Sequence, residues 1–297
     1  MKSSVVANLY EKGKLQIPKH VPGAIQYECY MGSVCYGVSN NTSDIDVYGI
    51  SIPPKEYVFP HKFGYIQGFG EKPPTFNVWQ QHHIKINENE YDLSVYNIVS
   101  FFQLALENNP NIIDSLFVPS NYVTKMSEIG SMIRSNRRLF LHKGSYHKLK
   151  GYSFAQLKDV RNPNRQGKRK EIIEKYGYDI KAAYHVVRLS EQALQILTEG
   201  DLDLQRSKEM LKSIRRGEWS IDDIENHFKR TEEQLTKLYH SDSSPLPYSK
   251  KDNEPKIKQI LIDCLEQFYG SISEMEYSNE GNSDAERKLN EIRRILG

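Results

Sequence analysis

Asp44 and Asp46 stand two apart in an alternating run, Asp44-Ile45-Asp46-Val47-Tyr48-Gly49-Ile50-Ser51-Ile52. In a strand of period two both carboxylates project from one face. Two carboxylates held that close repel each other unless one takes up a proton or a cation sits between them. The pair therefore suits a divalent metal site or an acid/base dyad. Ten residues before it lies Gly32-Ser33. A residue without a Cβ lets a bulky anion approach the backbone N–H groups, and the Ser33 hydroxyl adds a donor, so a phosphate is the natural second guest. The plain alternative for the two acids is a solvated strand face or a turn-stabilising pair.

The elements around these residues follow from pattern and breakers. Ala24–Met31 reads as an aromatic-rich strand ending at Gly32-Ser33, Val34–Val38 as a short helical turn, and Ser39–Ser43 as a polar loop feeding the Asp44–Ile52 strand. Pro53-Pro54 closes that strand. Lys55–Phe76 is an irregular aromatic and glycine-rich insertion, a lid, a base-stacking surface or a packed surface loop. His82–Ile86 reads as a strand, Asn87-Glu88-Asn89 as a turn, and Glu90–Leu93 as the returning strand carrying Asp92. From Ser94 the spacing of Val95, Ile98, Val99 and Phe102 turns helical with Ser94 as N-cap, which puts Asp92 where strand gives way to helix. Glu88 and Glu90 compete with Asp92 as a third acid, and Asp92 could simply cap that helix. His82-His83, with no further His or Cys at ligand spacing, reads as a strand pair and not a metal site.

A short amphipathic helix is expected around Val5–Lys12. After about residue 125 strand signals stop, and Lys125–His142, Asp179–Thr198, Leu204–Ile214, Ser220–Tyr239, Ile257–Tyr269 and Asp284–Leu296 read as helices. Ser220–Asp223 resembles a capping box. Ser241–Pro255 is linker-like, and Ser271–Ser283 is polar enough to be mobile. The expected fold class is α+β: a mixed-sheet domain over 1–122, then an α-helical domain over 123–297.

Composition sets bounds on function. The 297 residues carry 38% hydrophobic and 26% charged side chains with a formal charge of +2, so attraction to a polyanion would have to come from local clustering. Cys29, Cys35 and Cys264 lack CxxC spacing, which argues against a zinc knuckle or disulfide framework and for a reducing compartment, the cytoplasm. No apolar run is long enough to span a membrane, and no signal core follows Lys2.

Gly32-Ser33, ten residues, Asp44-x-Asp46 and a later acid at Asp92 together resemble the active-site signature of the DNA-polymerase-β-type nucleotidyltransferase superfamily. GSVCYGVSNNTSDIDVYGISIP, YDLSVYNIVSFFQLALENNPNIIDSLF and GYDIKAAYHVVRL resemble more closely the nucleotidyltransferases associated with RNA ligases, an RNA-repair branch of that superfamily. The resemblance implies a two-metal transfer of a nucleotidyl group from an NTP. Asp44 and Asp46 would hold a metal on the triphosphate, and Asp92 would help bind a second that activates the attacking hydroxyl, the ions about 3.5–4 Å apart. Gly32, Ser33 and Ser43 would bind the nucleotide, with Mg²⁺ (Mn²⁺ as substitute) as cofactor.

Lys181, His185 and Arg188, at i, i+4 and i+7, share one face of a predicted helix. That face suits phosphate in a cleft and equally describes a solvated surface. Lys158–Lys170 packs Lys158, Arg161, Arg165, Lys168, Arg169 and Lys170 against one acid, just after Tyr152 and Phe154. Clustered cations beside aromatics suit RNA, although basic loops are common without such a partner. The expectation is an NMP transferase acting on an RNA hydroxyl, with an RNA ligase as partner. The rivals are transfer to a protein or small molecule, a toxin or signal-producing relative, and a catalytically silent RNA-binding module.

Overall fold

Alternation along residues 45–51 gives one strand two unlike faces, Asp46, Tyr48 and Ile50 on one side and Val47, Gly49 and Ser51 on the other. The computed structural model describes residues 4–39, 44–66, 68–70, 75–162, 164 and 166–270, with backbone alone at 62, 63 and 168. It builds both faces into packed layers. Helix α1 (Val5–Glu11) precedes strand β1 (Ile25–Tyr30), the short turn α2 (Gly32–Cys35) and β2 (Ile45–Ser51). A short helix α3 (Lys55–Val58) lies in the insertion, followed by the hairpin β3 (Val78–Ile86) and β4 (Asn89–Asn97). Helices α4 (Ile98–Leu106) and α5 (Pro110–Phe117) lead to β5 (Val123–Met126) and α6 (Glu128–Ser135). The remainder is helical: α7 (Ser145–Val160), α8 (Lys168–Tyr176), α9 (Ile180–Glu199), α10 (Lys208–Arg215), α11 (Ile221–His240) and α12 (Glu254–Tyr269).

Among the described residues the five strands form one mixed sheet in the order β3-β4-β2-β1-β5. β2 and β4 are parallel; the other neighbours are antiparallel. This is the α+β class expected. Behind the sheet, Val47, Leu93, Val95 and Ile84 pack with Val6 and Leu9 of α1. In front, Tyr27, Cys29 and Ile50 join a core that continues through Phe101, Leu116 and Val187 into the later helices. All three cysteines are buried and free. Among the described residues no helix is long and apolar enough to cross a membrane.

Four expectations change. β4 runs on to Asn97, because Leu93 and Val95 keep filling the rear core while Ser94 and Tyr96 stay on the front face with Asp92. The helix starts at Ile98, capped by Asn97 Oδ1, which accepts from the Val99 N–H at 2.9 Å, so Asp92 lies mid-strand and Ser94 is no cap. The stretch 125–142 is not one helix. Residues 123–126 are drawn into the sheet as β5 beside β1, four residues beyond the expected boundary at 122. α6 then begins on the Ser127 cap. Gly130 lets it sit on the sheet, since a Cβ there would lie 2.4 Å from the Gln26 carbonyl oxygen. Residues 145–160 and 168–176 are helices where none was expected. Their apolar residues are sparse, and α7 docks on α9 partly through polar contacts, Ser153 Oγ donating to the Val186 carbonyl at 3.1 Å. The expected basic loop therefore spans the end of α7, a connecting turn and the start of α8. The expected helix 284–296 and the segment 271–283 lie outside the described residues.

Candidate active site

The parallel register of β2 and β4 sets Asp46 directly beside Asp92. Asp44 lies just before β2, partly buried like the other two. Among the three candidate acids of the hairpin, Asp92 is thus the one beside Asp46. Glu88 falls in the turn, and Glu90, two residues from Asp92, meets His83 Nδ1 at 2.5 Å. Burial, then the charge of Asp92, pushes the Asp46 carboxyl up to about 6; Asp44 adds to the rise, and Lys181 and His82 oppose it. The local charge is negative and incompletely compensated.

His82 and His83 form a bulge, not a regular strand pair. The β3–β4 register shifts between Gln81 and Ile84, and His83 takes φ +57°. The bulge aims the His83 backbone N–H at Asp92 Oδ1, 2.8 Å away, and His82 Nδ1 stands 3.5 Å from the same oxygen. A fixed donor of this kind orients the Asp92 carboxylate.

Gly32 passes immediately over Asp46. Its φ is +62°, and a Cβ would stand 1.9 Å from Asp46 Oδ2. The Met31 N–H donates to the Asp46 carbonyl at 2.8 Å, tying the turn to the strand. The residue must be glycine on two counts, conformation and close approach. Ser33 follows it, partly buried; Ser43 lies outside the described residues.

The face of α9 does not stay in solvent along its length. Lys181 is exposed, and its charge bears on Asp46. His185 is partly buried, and its imidazole is held well below the usual range by burial, then by Arg188, Lys181, Arg169 and Arg215. Arg188 is buried, which corrects the reading of it as part of a solvated or cleft-facing surface. Its Nη1 donates to Asp114 Oδ2 and to Tyr36 Oη, both at 2.8 Å, and to Gln192 Oε1 at 3.0 Å. Gln192 Nε2 donates to Asp114 Oδ1 at 3.0 Å, and the guanidinium lies 4.4 Å from the Tyr36 ring centroid. Arg188 can be buried because a matching carboxylate and hydrogen bonds replace its water. The network fastens the turn after Gly32-Ser33, through Tyr36, to α5 and α9.

The basic stretch carries less free charge than its composition suggests. Arg161 pairs with Glu225 at 2.8 Å and lies 3.9 Å from Asp222. Arg169 pairs with the buried Asp179 at 2.5 Å, and Lys170 faces Glu174 at 3.8 Å. Lys158 Nζ sits 4.9 Å from the Phe154 ring centroid. Tyr152 and Phe154 are exposed. Arg165 and the side chain of Lys168 lie outside the described residues.

Tyr36, Asp114 and the His83 donor were missed from sequence. Only Asp114 left a signal there, a lone acid inside the apolar Ile112–Phe117 run, which implies a buried partner.

These observations define an α+β protein whose mixed sheet sets two acids on neighbouring parallel strands beneath a Gly-Ser turn, backed by helices. The chain belongs to the RNA repair pathway DNA polymerase beta family, whose sequence pattern matches residues 7–241. It is also similar to an uncharacterized 38.9 kDa protein in the nrdC-mobD intergenic region of Enterobacteria phage T4, with 27% identity over 145 residues. That match covers 44% of this chain and 41% of the phage protein, so the chain spans about two fifths of that relative's length. A crystal structure of a nucleotidyltransferase-like protein from Exiguobacterium sibiricum 255-15 aligns over 88% of this chain and 78% of its own, with 11% identity and a TM-score of 0.30.

Proposed function

We propose that the protein is a divalent-metal-dependent nucleotidyltransferase that moves a nucleoside monophosphate from an NTP to a hydroxyl of RNA. The observation that carries this reading is the side-by-side placement of Asp46 and Asp92 beneath Gly32. Among the described residues no three His, Cys, Asp or Glu side chains converge as a ready-made cage. Asp46 and Asp92 stand side by side with Asp44 just ahead of the same strand, and the upward push on Asp46 marks negative charge that a cation would relieve. That set fits a hard cation with oxygen ligands. Asp44, Asp46 and Asp92 would hold Mg²⁺ or Mn²⁺, which supplies neutralisation of phosphate charge and acidity for the attacking hydroxyl.

The chain's own groups do the rest. Gly32 leaves its backbone open to the triphosphate, Ser33 donates its hydroxyl, and Lys181 sets a positive charge opposite the carboxylates. The His83 N–H and the Arg188 network hold Asp92 and the Gly-Ser turn in place, so that little reorganisation is needed as charge develops.

Incubation with α- and γ-labelled NTPs, Mg²⁺ and RNA pools tests the reading. Label from the α-phosphate should enter RNA, label from the γ-phosphate should not, and Asp44→Ala/Asp46→Ala should abolish transfer. Equal labelling by that double variant sinks the role given to the acids. Label that persists when RNA is omitted identifies a protein or small-molecule acceptor, and salt-sensitive RNA binding without NTP consumption identifies a silent module.

A further inference from the structure

We propose that Arg215, at the end of α10, is a second phosphate-binding cation of this site, acting with Lys181 on the triphosphate; the inference rests on the nucleotidyl-transfer reading and adds a residue to it.

Helix α9 presents a stripe of side chains toward the turn after Gly32-Ser33. Lys181, Tyr184, His185 and Arg188 fall at i, i+3, i+4 and i+7, so they lie along one side of the helix. The turn after Gly32-Ser33 is fastened to this stripe at one point and to α10 at another. Tyr36 Oη accepts from Arg188 at 2.8 Å, and the Val38 carbonyl accepts from Arg215 Nη1 at 2.5 Å. Arg215 also lies over the Tyr184 ring, 5.8 Å from its centroid. It comes from a different helix, yet its guanidinium stands where the stripe and the turn meet. Gln205 adds a third tie, Nε2 donating to the Cys35 carbonyl at 3.1 Å.

The charges around this junction are unequally matched. Arg188 is neutralised by Asp114, and Arg169 by Asp179. Lys181 and Arg215 have no carboxylate within ion-pair distance among the described residues. His185 senses both cations: burial, then Arg188, Lys181, Arg169 and Arg215, hold its imidazole well below the usual range, so it adds no further positive charge. The Tyr184 hydroxyl is buried and lacks a hydrogen-bond partner among the described residues. Lys181 acts on the Asp46 carboxyl, and Lys181 and Arg215 both act on His185, which links the Arg215 guanidinium to the acid side of the site through the α9 stripe. Incompletely compensated negative charge lies on the sheet at Asp46, and two cations without carboxylate partners among the described residues lie on the helices, a combination that a metal–triphosphate would complement. A guanidinium has five N–H donors in a planar fork. With one spent on Val38 O and the plane steadied on an aromatic face, the rest can meet phosphate oxygens in bidentate fashion.

The test is calorimetric titration of the full chain with inorganic tripolyphosphate, with NTPs in Ca²⁺, and with the corresponding nucleosides. Arg215→Gln should weaken tripolyphosphate and NTP binding by about 10- to 100-fold, leave nucleoside binding unchanged, and unfold at nearly the native temperature. Arg215→Lys, which keeps the charge and loses the fork, should fall between the two. Native-like tripolyphosphate binding by Arg215→Gln overturns the proposal. So does an equal loss in Gln and Lys variants accompanied by weaker nucleoside binding, which would mean that the residue only shapes the turn. If the native protein itself binds neither tripolyphosphate nor NTP, the nucleotidyl-transfer reading fails; native binding with an indifferent Arg215→Gln sinks the Arg215 assignment alone.

Discussion

Asp46→Asn should stabilise the metal-free protein at pH 7.5 and leave it unchanged at pH 4. In the fold the Asp46 carboxyl is pushed up to about 6 from 3.8, first by burial and then by Asp92. A folded pKa above the unfolded value favours the protonated form, so this contribution to stability is fully present below about pH 4 and is lost as pH rises through about 6. Two pH units correspond to at most about 3 kcal/mol, and residual solvent screening of a partly buried group brings this to about 1–2 kcal/mol. The assay is urea unfolding of native and Asp46→Asn protein in EDTA across pH 4–7.5, taking the difference so that other titrating groups cancel. The gap should open between pH 4 and 6 and stay level above. Added Mg²⁺ should then close or invert it, because a cation bound by the native acids stabilises by roughly 1.4 kcal/mol at ten times its Kd. A gap independent of pH, or a native protein more stable than the variant at pH 7.5 in EDTA, would refute the reasoning.

Gly32→Ala places a Cβ against Asp46 Oδ2 at φ +62°. It should cost about 1–2 kcal/mol in urea unfolding from the left-handed backbone alone, and displacement of the carboxylate should weaken Mn²⁺ binding at least about 10-fold in an EPR titration. Arg188→Met strands the buried Asp114 and should cost about 3–5 kcal/mol, whereas Arg188→Met/Asp114→Leu should recover most of that loss; equal losses in the single and double variants would speak against a buried pair. Glu28 is buried in β1 and accepts from the Val5 and Val6 N–H groups at 2.6 and 3.1 Å, from Ser4 Oγ at 2.8 Å and from Thr124 Oγ1 at 2.5 Å. Glu28→Gln should release the start of α1, seen as faster amide exchange at Val5–Leu9 with about 1–3 kcal/mol of lost stability.

Local chemistry was legible in the sequence wherever it was short-range. The Gly-Ser turn, the Asp44/Asp46 strand, the Val5–Glu11 helix and the Ser220 capping box all follow from neighbours a few residues apart. What stayed hidden depends on register and on distant partners. Val95, Ile98 and Val99 have helical spacing by coincidence, and only the core behind the sheet extends β4 through Ser94 to Asn97. The parallel pairing of Asp46 with Asp92 bypasses the intervening β3, and no local pattern records it. Arg188 sits on the α9 stripe that the spacing predicted, but its partner Asp114 is 74 residues away and turns a surface cation into an interior one. The basic stretch shows the same limit: composition counted Arg161 and Arg169 as free, and Glu225 and Asp179 had already matched them.

On the reading proposed above, Asp44, Asp46 and Asp92, with Gly32-Ser33 over Asp46, form a metal–nucleotide site. Crystals of the native protein soaked with Mn²⁺ and a non-hydrolysable NTP, read by anomalous scattering, test it most directly. Mn²⁺ should be bounded by these three carboxylates, with the triphosphate against Gly32-Ser33 and Lys181. Mn²⁺ and triphosphate bound elsewhere, with the three carboxylates lacking metal, would contradict it.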